Sequence, residues 1–425
     1  MARVSAPVAT ASATLWRHHD FLKLWAGQTI SMLGSRFSTL ALPLIAALSL
    51  RASPVEMGLL TAVETAPFLL LGLFAGVWVD RRRRRPILVS GDVGRALLLA
   101  TIPLAALAGA LSMPLLYVVG FLTGVLTVFF DVAYQSYLPM LVGRAQLIEG
   151  NSKLEVSRSI AQVAGPGIAG VVVQIVSAPL AIAFDALSFF ISAVFLSLIG
   201  RTEEAPDRTT RAPLLVEARE GLSVVFGNPY LRSIAGATAT FNVFSSAIWA
   251  LYILFATREL GLEPAAIGVV FGVGNAGALT GAVFAGHLAR RLGLGRVIVG
   301  ASLIGGLGNL VIASATGGFA LPTLITAHFL ISLSLPLYNI NQVSLRQAIT
   351  PERLLGRVNA TNRFLVWGTM PLGGLAGGAL GETLGLRPAI ALAAICGLTG
   401  FLWVLRSPVS TLDRIPEIPF CSEVE

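Results

Sequence analysis

The sequence predicts an all-helical protein that crosses a membrane twelve times, as two pseudo-symmetric bundles of six helices. Three observations predict this fold class. The composition is too apolar for a water-soluble fold, the apolar residues fall into twelve long stretches, and the arginines lie in alternate loops between them. The loop charges place both ends of the chain in the cytoplasm.

Charge is scarce in this chain of 425 residues. Charged residues make up 12% and hydrophobic residues 55%, whereas a soluble globular protein carries about 25% charged residues. This composition excludes a disordered chain and an ordinary soluble enzyme. The two cysteines are too few for a small secreted fold held by disulfides. We therefore expect a multi-pass protein of the cell membrane.

A helix needs about 20 apolar residues to cross the hydrocarbon core, and twelve stretches of that kind can be marked. We number them span 1 to span 12. They lie near residues 22–49, 56–79, 87–109, 113–134, 157–177, 180–200, 231–256, 265–288, 297–316, 320–343, 364–384 and 387–405.

The basic residues predict the orientation of these spans. With the amino terminus in the cytoplasm, cytoplasmic segments hold 25 of the 30 Lys and Arg residues, in line with the positive-inside rule. The net charge of +8 then reflects topology, and no nucleic-acid partner is expected. The predicted parts are a cytoplasmic N-terminal segment (1–20), a first bundle (21–200), a cytoplasmic central loop with an amphipathic helix (201–230), a second bundle (231–406) and a cytoplasmic tail (407–425).

The two halves resemble each other at a shift of about 209 residues. Pro54 and Gly58 match Pro264 and Gly268, and similar matches follow in the same order along both halves. Two parallel six-helix repeats are an architecture of transporters, in which the substrate site lies between the repeats.

Two motifs resemble a known family. Residues 76–85, GVWVDRRRRR, resemble the Gly-x-x-x-Asp-Arg-x-Gly-Arg-Arg loop of the major facilitator superfamily, with Arg83 in place of the usual Gly. Residues 165–170, GPGIAG, and the stretch from Phe130 to Pro139 resemble the branch of macrolide and enterobactin exporters and drug:proton antiporters. The resemblance covers nearly the whole chain and implies a transporter with no enzymatic activity.

The resemblance implies a conformational latch beside spans 2 and 3. In the family the loop Asp lies near the start of span 11, and the second basic position of the loop meets an acid on span 4. An Arg84–Asp131 pair is therefore expected in the outward-open state, since an unpaired carboxylate at an apolar helix end is costly. Topology and lipid headgroup binding are the alternative for this run of arginines. The predicted latch residues are Gly76, Asp80, Arg81, Arg84, Arg85 and Asp131.

Glycines are expected to set the contact between the halves. Small residues at four-residue spacing let helix backbones approach closely in lipid, and in the superfamily spans 2, 5, 8 and 11 lie between the halves. Gly165, Pro166 and Gly170 form the span 5 motif.

Charged residues deep in spans face the bundle interior, pair with one another or have a functional role. Glu64 is our expected proton-coupling group, because it is the only Glu deep inside a span. Arg36 could hold Glu64 in a static pair, bind Asp185 or meet an anionic substrate, and these alternatives stay open. Asp92 and Arg95 lie three residues apart, on one helix face, and together with Asp185 they are expected to be structural.

Amide and aromatic side chains within the spans predict a substrate cavity, although plain packing is the alternative for the aromatic ones. The amides are Gln28, Asn242, Asn339 and Asn341, and the aromatics are Phe241, Trp249 and Trp367.

The resemblance and the charges together predict a proton-coupled exporter of amphipathic small molecules, such as a drug, natural product or siderophore, working by alternating access as a monomer. A lipid or lysolipid flippase is an alternative, as is a receptor or regulator that has kept the fold. The expected partners are a small-molecule substrate and membrane lipids. No cofactor or metal is expected, since the four His residues are scattered, and the proton gradient would supply the energy.

Overall fold

The computed structural model of the chain describes residues 15–143, 146–201, 203 and 214–414. These residues fold entirely as helices and connecting turns, and twelve of the helical segments are long and apolar enough to cross a membrane. The predicted fold class is confirmed. The segment before residue 15, most of the central loop, the tail after residue 414 and the side chain of Asp80 lie outside the described residues.

The spans keep their predicted order but differ in their ends. Spans 1 and 7 finish in a wide, π-helical turn, and spans 8, 11 and 12 are interrupted near their middle or end. The bounds are, for spans 1 to 6, His19–Leu44 with Ile45–Ser49, Pro54–Asp80, Arg84–Leu107, Met113–Val142, Leu147–Val176 and Ala178–Ser197. For spans 7 to 12 they are Pro229–Leu254 with Phe255–Glu259, Pro264–Gly274 with Ala276–Leu292, Leu294–Ala313, Ala320–Ile349, Glu352–Gly368 with Met370–Leu384, and Leu386–Leu398 with Phe401–Leu405.

Local sequence explains how the spans start and stop. Span 2 begins at a capping box, in which the Ser53 hydroxyl accepts from the Glu56 amide at 3.2 Å and the Glu56 carboxylate accepts from the Ser53 amide at 2.7 Å. Such reciprocal bonds satisfy two amides that a helix start leaves unpaired. Span 4 ends at Gly143, whose φ of 74° lies in the left-handed region that glycine adopts without strain.

Spans 4, 5, 10 and 11 are longer than predicted, and the extra turns all lie at one end of the molecule. Span 5 begins at Leu147 rather than near residue 157, and span 11 begins at Glu352 rather than near residue 364. The prediction was wrong there because polar residues in these turns, such as Gln135, Asn151 and Arg346, were assigned to loops. We call the end where spans 1 and 7 begin the termini side, and the opposite end the far side.

Each half packs in the same way. In the first half, span 1 contacts spans 5 and 6, span 3 contacts spans 4 and 6, and span 2 contacts span 4. In the second half, span 7 contacts spans 11 and 12, span 9 contacts spans 10 and 12, and span 8 contacts span 10. The bundles are therefore two copies of one arrangement.

The halves meet through two interfaces built on glycine. In the 5–8 interface, a Cβ added to Gly170 would lie 2.9 Å from the Gly268 Cα atom, and the reverse distance is also 2.9 Å. In the 2–11 interface, a Cβ added to Gly58 would lie 2.7 Å from the Gly378 Cα atom. The backbones of the two halves touch at these positions, and a residue larger than glycine would not fit there.

All four glycines lie toward the far side, so the halves are closed there. Arg258, at the far end of span 7, reinforces the closure by donating to the carbonyl oxygens of Ala47 at 3.3 Å and Ala52 at 2.8 Å in the first half. An opening between the halves is left on the termini side.

A short helix, Leu214–Gly227, lies where the amphipathic helix of the central loop is expected. It packs against the first turns of span 11. Glu220 forms an ion pair with Arg357, and Gly221 leaves no room for a Cβ beside the Arg357 carbonyl carbon and oxygen. The helix thereby covers part of span 11 on the termini side.

Candidate functional site

A cavity of about 510 Å³ opens between the two halves on the termini side. Span 2 of the first half forms one wall, and spans 10 and 11 of the second half form the others. The lining residues are Phe68, Gly72, Arg346, Gln347, Gly356, Asn359, Asn362, Arg363, Phe364, Val366 and Trp367.

An aromatic pair forms the apolar wall of this cavity. Phe68 of span 2 and Trp367 of span 11 stack with their ring centroids 4.5 Å apart and their planes 21° from parallel. Trp367 keeps 37% of its surface exposed. The stack joins the halves and still offers ring surface to a ligand.

Two arginines form the polar part of the cavity. Arg346 is only 9% exposed. One of its terminal nitrogens donates to Gln342 at 3.3 Å, and its buried Nε has no partner among the described residues. Arg363 is exposed and lies eleven residues into the helix that starts at Glu352, which is about 16 Å along its axis.

Acidic side chains are absent from the lining residues that the structure describes. Asp131 of span 4 interacts electrostatically with Arg363, but the two form no direct ion pair. Among the described residues, neither arginine of the cavity therefore forms a direct ion pair with a carboxylate.

A smaller cavity of about 130 Å³ lies inside the second bundle. Phe241, Asn242 and Asn339 line it, together with Val366, which also lines the larger cavity. The Asn242 side-chain amide donates to the Val366 carbonyl at 3.1 Å. Three of the predicted cavity residues thus meet in a compartment next to the larger cavity.

Glu64 packs against span 4 of its own half. A Cβ added to Gly120 would lie 3.0 Å from the Glu64 Cγ atom. Glu64 lies ten residues after Pro54, about 15 Å from the far end of the helix. In the part of the chain that the structure describes, its carboxyl group has no hydrogen bond and no ion pair.

Arg36 does not pair with Glu64. Its side chain lies on Gly165 of span 5, where a Cβ would come within 2.5 Å of the Arg36 Cγ atom. The Arg36 Nε is buried without a partner among the described residues. The glycine of the span 5 motif thus makes room for an arginine stem, and in this state the static Arg36–Glu64 pair is not formed.

The other predicted cavity residues do not line either cavity. Trp249 belongs to an aromatic cluster with Tyr252, Phe271 and His328. The buried Asn341 donates to the Leu337 carbonyl of its own helix at 2.8 Å. Gln28 is also buried, with its side-chain nitrogen unpartnered among the described residues. In this structure these three side chains lie outside the two cavities, and their place in a substrate cavity stays a prediction.

The charged residues of spans 3 and 6 form a buried group in the first half. Asp92 forms an ion pair with Arg95, whose guanidinium carbon lies 4.2 Å from the centre of the Phe130 ring and 4.1 Å from that of Phe189. Asp185 accepts from the Ser188 hydroxyl at 3.1 Å. The ion pair lies within span 3 and the hydrogen bond within span 6, while the ring contacts of Arg95 join span 3 to spans 4 and 6 of the same bundle.

The expected Arg84–Asp131 pair is not formed in this structure. The backbone amides of Arg84 and Arg85 instead donate to the Glu203 carboxylate at 2.8 and 3.0 Å, and a carboxylate at a helix start is favourable. Arg85 also donates to the Leu196 carbonyl at 3.0 Å. The pair is expected in the state that opens on the far side, and for that state it stays a prediction.

Gly76 and Arg81, the remaining latch residues that the structure describes in full, lie at the end of span 2 on the termini side. Arg81 is exposed, and Gly76 has open space around its Cα hydrogens. Arg82 lies over the Trp78 ring, 4.5 Å from its centre.

Sequence reasoning missed the two arginines and the two asparagines of the larger cavity. It assigned Asn359, Asn362 and Arg363 to a loop before span 11, and Arg346 to a loop after span 10. A usable signal was present. The spacing of one helix face is seen at Gly356, Asn359, Arg363 and Trp367. Such a spacing is typical of a helix and not of a loop.

Comparison with known proteins identifies the kind of molecule to which this cavity belongs. A family model of the major facilitator superfamily, described as "Transmembrane secretion effector", matches residues 10–422. The chain belongs to this family. It is therefore a major facilitator transporter of the cell membrane, and the cavity between its halves lies where such transporters hold their substrates.

Individual relatives match this chain over most of their own length. The chain is 28% identical over 379 residues to the multidrug efflux pump Tap of Mycolicibacterium fortuitum, covering 85% of this chain and 89% of the pump. It is 22% identical over 369 residues to macrolide efflux protein A of Streptococcus pyogenes, with 86% and 90% covered.

The fold is also seen in a crystal structure of a bacterial homologue of the iron transporter ferroportin in an inward-facing state. The TM-score is 0.73 at 18% identity, over 93% of this chain and 99% of the other. That likeness concerns the fold alone. In the described part of this transporter, no group of three or more His, Cys, Asp or Glu residues is arranged to hold a metal ion.

Proposed function

We propose that this major facilitator transporter exports amphipathic small molecules from the cytoplasm in exchange for protons, by alternating access. The observation that carries the proposal is the carboxyl group of Glu64, which lies deep in span 2 without a partner among the described residues, in a molecule open on one side only.

The direction of opening follows from the loop charges. The termini side collects most of the Lys and Arg residues, and positive loops remain in the cytoplasm. The cavity then faces the cytoplasm, and the glycine interfaces close the path to the outside. Such a state can take a substrate from the cytoplasm or from the inner leaflet.

Glu64 is suited to exchange a proton as the molecule changes state. A charged carboxylate in an apolar site without a partner is costly, whereas the neutral acid is not. When the halves separate on the far side, water reaches this depth and the charged form becomes acceptable. Glu64 would therefore load and release a proton in step with the opening and closing of the cavity.

Export rather than import is supported by the two efflux relatives. The larger cavity also suits amphipathic molecules, since one wall is aromatic and the others carry amides and guanidinium groups.

The test is transport in proteoliposomes with an imposed pH difference, using ethidium, rhodamine 6G and 1-naphthoate as fluorescent substrates. We expect Glu64→Gln to retain exchange down a substrate gradient and to lose uphill transport driven by the pH difference. Glu382→Gln, the same change at an exposed position on the far side, serves as the control and should pump like the parent.

Uphill pumping by Glu64→Gln at the parent rate would show that Glu64 does not couple. If Glu64→Gln does not accumulate in the membrane, Glu64→Asp becomes the decisive variant, because it keeps the titrating group. A Glu64→Asp protein that folds but is equally inactive with and without a pH difference would also contradict the proposal.

A further inference from the structure

We propose that the larger cavity recognises organic anions, in which an acidic group binds between Arg346 and Arg363 and an aromatic part lies against the Phe68–Trp367 stack. This inference rests on the proposed function only for the statement that the bound molecule is transported. It deepens that function by naming the charge of the substrate.

The charges around the cavity favour a negative ligand. Both charged side chains of the lining are arginines, and none of the described lining residues is acidic. The nearby Asp131 interacts with Arg363, but it is shared electrostatically with Arg95 and Arg158 and makes no direct pair. A cationic ligand would meet two like charges here.

The surroundings of Arg346 favour an anionic ligand over a neutral one. The residue is nine-tenths buried, its guanidinium donates one hydrogen bond of 3.3 Å to Gln342, and its Nε has no partner among the described residues. A buried cation is costly unless it is paired. A carboxylate, sulfonate or phosphate in the cavity would provide that pairing, and guanidinium binds these groups through two parallel hydrogen bonds.

Arg363 supplies the second contact from span 11, on another wall of the cavity. Arg363 is exposed, and its side chain lines the same cavity as Arg346. Gln347, Asn359 and Asn362 add amide donors to the same space. The acidic group would therefore find donors on two helices of the second half.

The aromatic stack fixes the rest of the ligand. Phe68 and Trp367 lie in the same cavity as the two arginines and come from opposite halves of the molecule. A flat apolar group resting on them would bridge the halves, while its acidic end stays with spans 10 and 11. The ligand class is thus an aromatic or otherwise flat organic acid.

The experiment measures binding without any gradient. The full chain is placed in nanodiscs of phosphatidylcholine, and three probes with one ring system are compared by equilibrium dialysis against empty nanodiscs. The probes are 1-naphthoate, 1-naphthylmethanol and 1-naphthylmethylammonium. We expect the parent to bind 1-naphthoate about tenfold more tightly than either other probe, as expected for one charge-assisted hydrogen-bond pair.

The variants locate the binding. Arg363→Gln should lower the affinity for 1-naphthoate about tenfold and leave that for 1-naphthylmethanol unchanged. The affinity of Arg363→Lys for 1-naphthoate should lie between those of the parent and of Arg363→Gln. Arg291→Gln removes an exposed arginine at the end of span 8, outside the cavity, and should bind like the parent. A melting curve for each variant shows that the fold is kept.

Several results would overturn the inference. They are equal binding of the three probes, tighter binding of the cationic probe, no binding of any probe, and an Arg363→Gln protein that binds 1-naphthoate like the parent. Nanodiscs with added phosphatidylglycerol separate the two sources of an acidic group, since loss of 1-naphthoate binding there would assign the site to a lipid headgroup. Because no gradient is used, these results do not depend on whether Glu64 couples transport to protons.

Discussion

The 5–8 interface and the 2–11 interface have the same glycine pattern but are held together by different forces. In the 5–8 interface, the Asn275 side-chain amide of span 8 donates to the Gln162 carbonyl of span 5 at 2.6 Å. In the 2–11 interface, the corresponding link between the halves is the stack of Phe68 on Trp367. One link is directional and polar, and the other is apolar and tolerant of sliding.

The polar link depends on a proline. In a regular helix the Gln162 carbonyl would accept from the amide of residue 166, but Pro166 has no N–H and leaves it free. Asn275 lies between the two helical segments of span 8. Its Oδ1 lies 3.2 Å from His328 Nε2 and accepts from the Ser332 hydroxyl at 3.3 Å, so its amide nitrogen is left to face span 5.

The difference shows how two related interfaces can divide their tasks. We expect this hydrogen bond to break when the 5–8 interface opens, which would favour the far-closed state. The stack beside the cavity can shift gradually and remain in contact. We therefore expect the first interface to set the equilibrium between states and the second to respond to what occupies the cavity.

Filling the glycine contacts should have the largest effect on the closure of the far side. Gly170→Leu and Gly378→Leu would each push a side chain into the backbone of the opposite half, and such overpacking costs about 1–3 kcal/mol or more. The readout is a cysteine that replaces the buried Ala62, in a background with Cys396→Ser and Cys421→Ser. We expect a thiol reagent added outside the cell to modify this cysteine at least tenfold faster in the two leucine variants than in the parent. Gly167→Leu is the control, since nothing lies near its Cα hydrogens, and equal labelling of all variants would show that the contacts do not close the far side.

Removing the polar link should have an intermediate effect, confined to the 5–8 interface. Asn275→Ala leaves the Gln162 carbonyl unsatisfied, at a cost of about 1–3 kcal/mol. Pro166→Ala restores the amide that this carbonyl lacks, so Asn275→Ala should cost less in that background. The free energies of the four proteins, from thermal unfolding in detergent, form a double-mutant cycle, and additive changes would contradict the link.

Disrupting the stack should have the smallest effect. Phe68→Leu and Trp367→Leu keep apolar bulk but remove the ring contact, for which we expect a coupling energy of about 0.5–1.5 kcal/mol. If the stack also binds the ligand, saturating 1-naphthoate should raise the unfolding temperature of the parent more than that of either variant. An identical ligand-induced shift in all three proteins would limit the stack to joining the halves.

Much of the fold could be predicted from the sequence, because apolar length and loop charge are properties of single segments. The existence and order of all twelve spans follow from them. The ends of spans 4, 5, 10 and 11 do not, since these helices run past the hydrocarbon core, where polar residues such as Asn359 and Arg363 are compatible with either a helix or a loop.

The site was less predictable because it depends on contacts between segments. Trp367 could be placed in a cavity by its residue type, but bringing Arg346 and Arg363 to one cavity depends on how spans 10 and 11 are placed around it. The Arg84–Asp131 pair depends on which side of the molecule is open, which no local pattern encodes. The link from Asn275 to span 5 has no local sequence signal, since its acceptor there is a backbone carbonyl.

That backbone acceptor has a consequence for the evolutionary record. No substitution of Gln162 removes its carbonyl oxygen, so position 162 is free to vary while the hydrogen bond persists. Selection acts instead on Pro166, which keeps the carbonyl free, and on Asn275, which uses it. Among descendants of this chain, positions 166 and 275 should therefore co-vary. Position 162, whose carbonyl accepts the hydrogen bond, should co-vary with neither.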